Sequence, residues 1–296
     1  MMAKMYAQDP QLDIQNLLYV SNGKADAGNE ILSDQDTVFS YTDVYKDQVG
    51  NYWFSANRDH NKNQYTVSIL DQKSNTVASY NVKGKPSFYE FAEDIIIACE
   101  GDGSKGTLYH FKKQSAILVK EWKVSGLLWE VEMQADTLYA TTYIVEEDQA
   151  VLYRIKNGRK KRINLSKSAT PTDILCMNQS VYISLAPILY GDPKMLLELT
   201  EGGKIIRQLP LAISPRTLHQ VNEQELLIYE LDLSSGKSEK IVYVNVVNGE
   251  QWTHHIPHSQ IVSCTSRSLS LLEQESKTLY TWDHTDRTIV KSQRIS

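Results

Sequence analysis

Residues 127–168 constrain the fold most. They read LLWEVEMQ, ADTLYATTYIV, EEDQAVLYRIK and NGRKKRINLS, four short apolar segments separated by turn residues. Leu138, Tyr139, Tyr143 and Val145 are β-formers, as are Val151, Tyr153, Ile155, Ile163 and Leu165. Asn157-Gly158 sits between two of these runs. A type I′ hairpin needs positive φ at both central residues, which Asn-Gly supplies at low cost. The stretch therefore predicts one four-stranded antiparallel sheet.

The same arrangement recurs along most of the chain. Sets of four strand-like segments begin near residues 40, 85, 127, 170, 215 and 260. They lie about 43 residues apart, the range of four-stranded propeller blades. Segments this short and regular argue for an all-β array and against βαβ units. Tight polar turns join the third and fourth segments: 72–75, Asn157-Gly158, 201–203 and Asn248-Gly249. The second-to-third connections are longer and more varied: 58–63, 100–106, 146–149, 190–194 and 232–239. No helix-period pattern with a capping signature appears. A blade with two apolar faces cannot bury them alone, so neighbouring blades must stack into a ring.

The first 39 residues are less regular. Leu17 to Asn22 reads as a strand, and Ile31-Leu32 and Thr37 to Phe39 as two more. At Tyr19-Val20-Ser21-Asn22-Gly23 the chain resembles the YVTN-type β-propeller repeat, with Ser in place of Thr. That resemblance implies seven blades, residues 1–39 being an atypical first one; six blades with an N-terminal extension is the alternative. The expectation is all-β: a single closed β-propeller domain over 1–296, built of four-stranded antiparallel blades. The resemblance also implies a bacterial cell-surface or extracellular protein whose signal segment is absent from this sequence, with the cytoplasm as the alternative. The opening MMAKMYAQDPQLDIQ lacks a signal peptide's apolar core.

Composition narrows the function classes. A formal net charge of -5 argues against a general nucleic-acid binder, which needs a basic footprint. No run of 18 apolar residues is present, so no transmembrane helix is expected. Cys99, Cys176 and Cys264 are odd in number, widely spaced, and each set in an apolar run, which predicts buried free thiols.

Several local patterns carry possible chemistry. Gly101 to Gly106 matches G-x-G-x-x-G, but the dinucleotide fingerprint needs a helix after it, and TLYHF reads as a strand. His254, His255 and His258 cluster in sequence; in a strand they point to both faces or lie roughly 13 Å apart, too far to share an ion. Trp282-Asp283 is similar to the dipeptide ending the third strand of WD40 blades, but it occurs once and without a Gly-His partner. No G-x-S-x-G elbow is present. Arg154, Lys156 and Arg159 to Arg162 form the densest charge run; it reads as a solvated turn, or as a patch for an anionic partner. No cofactor and no metal site is expected.

The innermost strand of each blade should be the first of its set. Aligning Pro86, Pro171 and Pro215 brings Phe88, Asp173 and Thr217 into register, with Thr42, Trp129 and Ile261 near the same column. Asp43, Glu90, Glu130 and His219 are offset by one or two positions. Two readings follow. The first is a non-catalytic, monomeric propeller that binds a protein, small molecule or saccharide on its loop face, through Tyr89, Trp129, Glu130, Asp173, Arg216 and His219. Binding should then survive charge reversal in the basic hairpin. The second is a lactonase-, lyase- or hydrolase-like propeller enzyme using Asp43, Glu90, Glu130, Asp173 and His219 at the channel mouth, which requires several of them to converge.

Overall fold

A computed structural model describes residues 19–21, 24–26, 41–59, 63–73, 75–101, 104–188, 194–230 and 238–294, with side chains from residue 45 onward except 57–59. The chain separates into two compact units, residues 1–128 and 129–296. In the first unit, β1 (Tyr19–Ser21) pairs with β2 (Lys24–Asp26). The YVSN motif thus begins in a short hairpin. Its Asn22-Gly23 and the strand candidates at 17–18, 31–32 and 37–39 lie outside the described residues.

Two four-stranded antiparallel meanders follow. One contains β3 (Tyr41–Lys46), β4 (Tyr52–Asp59), β5 (Gln64–Leu70) and β6 (Thr76–Lys83). The next contains β7 (Lys85–Glu90), β8 (Asp94–Glu100), β9 (Lys105–Lys112) and β10 (Ile117–Ser125). The anchoring stretch then forms β11 (Leu127–Gln134), β12 (Thr137–Ile144), β13 (Gln149–Lys156) and β14 (Arg159–Lys167), paired in that order. A 3₁₀ turn, Val145–Glu147, joins β12 to β13.

The second unit continues with β15 (Ala169–Met177), β16 (Ser180–Pro187), β17 (Met195–Thr200) and β18 (Ile205–Pro210). The last sheet has seven strands: β19 (Thr217–Gln220), β20 (Glu225–Tyr229), β21 (Ser238–Asn245), β22 (Gln251–Cys264), β23 (Ser268–Glu273), β24 (Thr278–Asp283) and β25 (Thr288–Arg294). The sequence predicted two sets here, dividing near 260. The long strand β22 joins them: it pairs with β21 up to Ser259 and with β23 from Gln260.

Burial grades across each sheet as the residue types require. Second strands are almost wholly buried: β8 (DIIIACE) has an apolar centre on both faces, and β12 (TLYATTYI) is as buried although Thr137, Thr141 and Thr142 interrupt its apolar residues. Fourth strands such as β14 and β25 are mostly or wholly exposed. A strand apolar on both faces needs a layer on each side. In the first unit, β4 and β5 pack on β8 and β9 through Trp53, Val67, Ile69, Ile95, Ile97 and Phe111. Trp53 and Phe111 meet edge-on at 5.5 Å, a favoured aromatic geometry. In the second unit, Leu152, Ile174, Ile183 and Leu197 close the contact between the β11–β14 and β15–β18 sheets. Tyr182, Leu196, Leu226 and Val242 do the same for the next pair.

The passage from one sheet to the next takes a single left-handed residue at Gly84, Gly126 and Ser168, with φ of 98°, 92° and 55°. At Gly84 glycine is required, because a Cβ would also overlap the Glu100 carbonyl oxygen. Asn157 and Gly158 both have positive φ, as a type I′ turn demands. Asn248-Gly249 differs from the tight turn expected. It lies in the longer connection 246–250, where the Gly249 N–H donates to the Asn245 carbonyl at 2.8 Å.

Candidate functional site

In a four-stranded meander the sheet-to-sheet connection and the second-to-third loop share one end. The tight turns lie at the other. Within the β15–β18 sheet this is direct: the Ile188 N–H, past the end of β16, donates to the Ser168 carbonyl before β15. Trp129 is the third residue of β11, and Arg216 immediately precedes β19. Both sit at the loop end of their sheets. The Arg216 guanidinium lies 5.9 Å from the centre of the Trp129 ring, a cation–π contact between two half-buried side chains. The Arg216 backbone N–H donates to the Tyr229 carbonyl at 2.8 Å. Tyr229 stacks on His219 with ring centres 5.6 Å apart. Burial pushes the Tyr229 hydroxyl up to about 12, against a hydrogen bond with Thr217. The structure thus brings Trp129 to Arg216 and His219 to Tyr229, and Tyr229 is the one that sequence reasoning missed.

Asp173 is fully buried, and its carboxylate is engaged. Oδ1 accepts the Ile174 N–H and Oδ2 accepts the Leu218 N–H, both at 2.7 Å. One carboxylate therefore ties β15 to β19 in the neighbouring sheet. Glu130 is held on β11, where its N–H donates to the Thr141 hydroxyl at 3.1 Å.

Tyr89 and Glu90 belong to the first unit. Glu90 is the last residue of β7, so within its sheet it lies at the tight-turn end. Its carboxylate accepts the Tyr45 hydroxyl, the Gln48 N–H at 3.0 Å and the Lys113 ammonium at 2.8 Å. Lys113 is 4% exposed, so this ion pair is buried. Burial raises the Tyr45 hydroxyl far above its ordinary value, and the hydrogen bond to Glu90 raises it further. The side chain of Asp43 lies outside the described residues.

The predicted column is out of register. Bulges at Thr42, Thr172 and Val262 each insert one residue into the first strand of a ladder. Asp43, Asp173 and Ser263 therefore occupy equivalent positions, one or two residues from the alignment with Thr42 and Ile261.

The remaining motifs resolve structurally. Gly101 to Gly106 leads into strand β9, with Asp102 and Gly103 outside the described residues. His254 packs edge-on against Tyr243 and Trp282, while His255 and His258 are exposed. Among the described residues no group of three or more His, Cys, Asp or Glu side chains could hold a metal ion. Trp282 donates its indole N–H to the Tyr243 hydroxyl at 2.8 Å, and that hydroxyl lies 2.7 Å from His284 Nδ1. His284 Nε2 lies 3.0 Å from the Thr265 carbonyl. The Thr265 carbonyl can only accept, so Nε2 carries a proton, and in the neutral ring Nδ1 accepts from the Tyr243 hydroxyl. Burial holds His284 below its ordinary value. Cys99, Cys176 and Cys264 form no disulfide; Cys99 is buried and the other two are half-buried. No described helix is long and apolar enough to cross a membrane.

No family model matches the sequence, and no curated relative is found for it. Solved structures are similar in fold. The β-propeller domain of Cps50 (Swd1) from Myceliophteria thermophila is 15% identical with a TM-score of 0.55, covering 82% of this chain and 84% of that one. The Dos1 propeller is 9% identical with a TM-score of 0.61, covering 87% and 71%. A candidate 6-phosphogluconolactonase from Bacteroides uniformis is 10% identical with a TM-score of 0.58, covering 86% and 85%.

Proposed function

We propose that this β-propeller chain is a non-catalytic binding module. In this reading residues 1–296 close into one ring with seven blades, monomeric, on a bacterial cell surface. It binds a protein, small molecule or saccharide on the face bearing the second-to-third loops, with Trp129 and Arg216 as the central anchors and Glu130 and His219 close by in β11 and β19; Tyr89, beside Glu90 near the tight-turn end of β7 in the first unit, is a separate candidate. Asp173 holds the scaffold beneath. One observation carries the reading: two of the carboxylates that the enzyme reading would use, Asp173 and Glu90, are engaged in holding the fold. Asp173 accepts two backbone N–H groups, and Glu90 accepts from Lys113 and Tyr45. Trp129 and Arg216, by contrast, form a half-buried aromatic–cation pair of the kind enriched in binding hot spots.

The test is an array of oligosaccharides and short peptides probed with wild type and with Trp129→Ala and Arg216→Ala. Each substitution should weaken the selected ligand by about 1–4 kcal/mol. Unchanged binding in both variants would move the site elsewhere. A lactone hydrolysed at enzymic rates by wild type but not by Glu90→Gln would restore the enzyme reading.

A further inference from the structure

The basic run folds into an array that a solvated turn does not require. In the β13–β14 ladder Arg154 lies directly opposite Lys161, and Lys156 directly opposite Arg159. Residues opposite one another in an antiparallel pair share a face, and so do alternate residues of one strand. Four cations therefore occupy one face as two facing pairs. Like charges directly opposite destabilise a sheet, so within the ladder these pairings cost stability.

Lysines on an exposed edge strand protect against unwanted pairing, and β14 is such an edge. That accounts for Arg159 and Lys161. It does not account for Arg154 and Lys156, which lie on the interior strand β13. Two of the four are held in place: Arg154 Nε donates to the Glu201 carbonyl at 2.7 Å and Lys161 Nζ to the Gly202 carbonyl at 3.2 Å. Lys156 meets Asp136 at 3.2 Å in a solvent-exposed pair, and Arg159 has no partner among the described residues. Arg162 is excluded from the array, because it faces the other way and pairs with Glu147. An open groove of about 550 Å³ lies over the hairpin, lined by Arg154, Lys156, Asn157, Arg159, Lys160 and Lys161. Every one of these side chains offers hydrogen-bond donors.

We propose that this groove binds a short acidic segment of a partner protein, its carboxylates seated on Arg154, Lys156, Arg159 and Lys161. Two observations favour such a segment over nucleic acid. The chain carries a net charge of -5, of which Arg154, Lys156 and Arg159 to Arg162 contribute +6, leaving -11 on the rest. That field repels a long polyanion and tolerates a short one. The cations also repeat at roughly 6.7 Å along each strand, the spacing of alternate side chains in an extended peptide. The groove lies at the tight-turn end of its sheet, opposite Trp129, so the proposal stands independently of the loop-face reading.

The experiment measures fluorescence anisotropy of a labelled peptide of alternating Glu and Ser, with the full chain. Wild type should bind, more weakly as salt rises. Lys156→Ser with Arg159→Ser, neither of which holds the neighbouring turn, should weaken binding about tenfold or more. Arg159→Glu alone should do the same if the double variant fails to fold. Asp136→Asn, which removes the competing carboxylate, should tighten binding. Lys291→Ser, on β25, should change nothing. No binding by wild type would overturn the proposal. So would unchanged binding in the Lys156 and Arg159 variants, displacement of the peptide by an equal concentration of inorganic phosphate, or tighter binding of a single-stranded oligonucleotide of equal charge.

Discussion

Replacing Asp173 with Ala separates a structural carboxylate from a catalytic one. Asp173 is 0% exposed, and it accepts the Ile174 and Leu218 N–H groups at 2.7 Å each. Truncation leaves two buried amide donors without an acceptor. Each costs about 1–3 kcal/mol, so the two together cost about 2–6 kcal/mol, toward the upper end because the lost hydrogen bonds were charge-assisted. That is a large part of the roughly 5–15 kcal/mol that holds a domain folded. Asp173→Asn keeps one carbonyl acceptor but turns an amide NH₂ toward a donor, and should cost about half as much. The assay is urea unfolding followed by tryptophan fluorescence, with free energy from linear extrapolation. A loss below about 1 kcal/mol for Asp173→Ala would refute the claim that this carboxylate ties β15 to β19.

Three further outcomes are expected. Lys113→Met strands the Glu90 carboxylate in a buried site and should cost about 3–5 kcal/mol in the same assay, most of it recovered by Lys113→Met with Glu90→Gln; no recovery would disprove the pairing. Native thiols should react slowly with a colorimetric disulfide reagent at pH 8, because burial pushes Cys264 up to about 12 and raises Cys99 further, whereas the urea-unfolded chain should show all three. His284 is held below its ordinary 6.5 by burial, so the unfolded chain binds its proton first: stability from this group is complete above pH 6.5 and declines as pH falls below it. A melting temperature that falls with acid equally in wild type and His284→Gln would contradict that assignment.

Much of the fold is legible in the sequence because strand alternation and turn residues mark each sheet independently. Sheets begin at Tyr41, Lys85, Leu127, Ala169 and Thr217, each within a few residues of the expected start. The sixth division falls where expected but without a break in the chain: β22 changes partner between Ser259 and Gln260, so one strand serves two ladders. The site was less legible. A bulge at Thr42, Thr172 or Val262 adds one residue without a compositional signature, and a one-residue slip moves every side chain to the other face. Lys113, in a polar turn, has the sequence context of a surface lysine, yet its aliphatic stem and ammonium are buried against Glu90. The basic hairpin was visible as a run of charge. That its four cations share one face depends on the Arg154–Lys161 register, which only the folded ladder defines. Trp129 and Arg216 were picked out by residue type and by their place near the start of inner strands, and the structure brings them together.

The most direct measurement is a crystal soaked with a mixture of short oligosaccharides and peptides together with calcium, zinc and manganese ions. The account predicts organic density against the Trp129 ring and the Arg216 guanidinium, with the Asp173 carboxylate still bound to the Ile174 and Leu218 amides. Metal density on the carboxylate of Asp173 or Glu90 would contradict it.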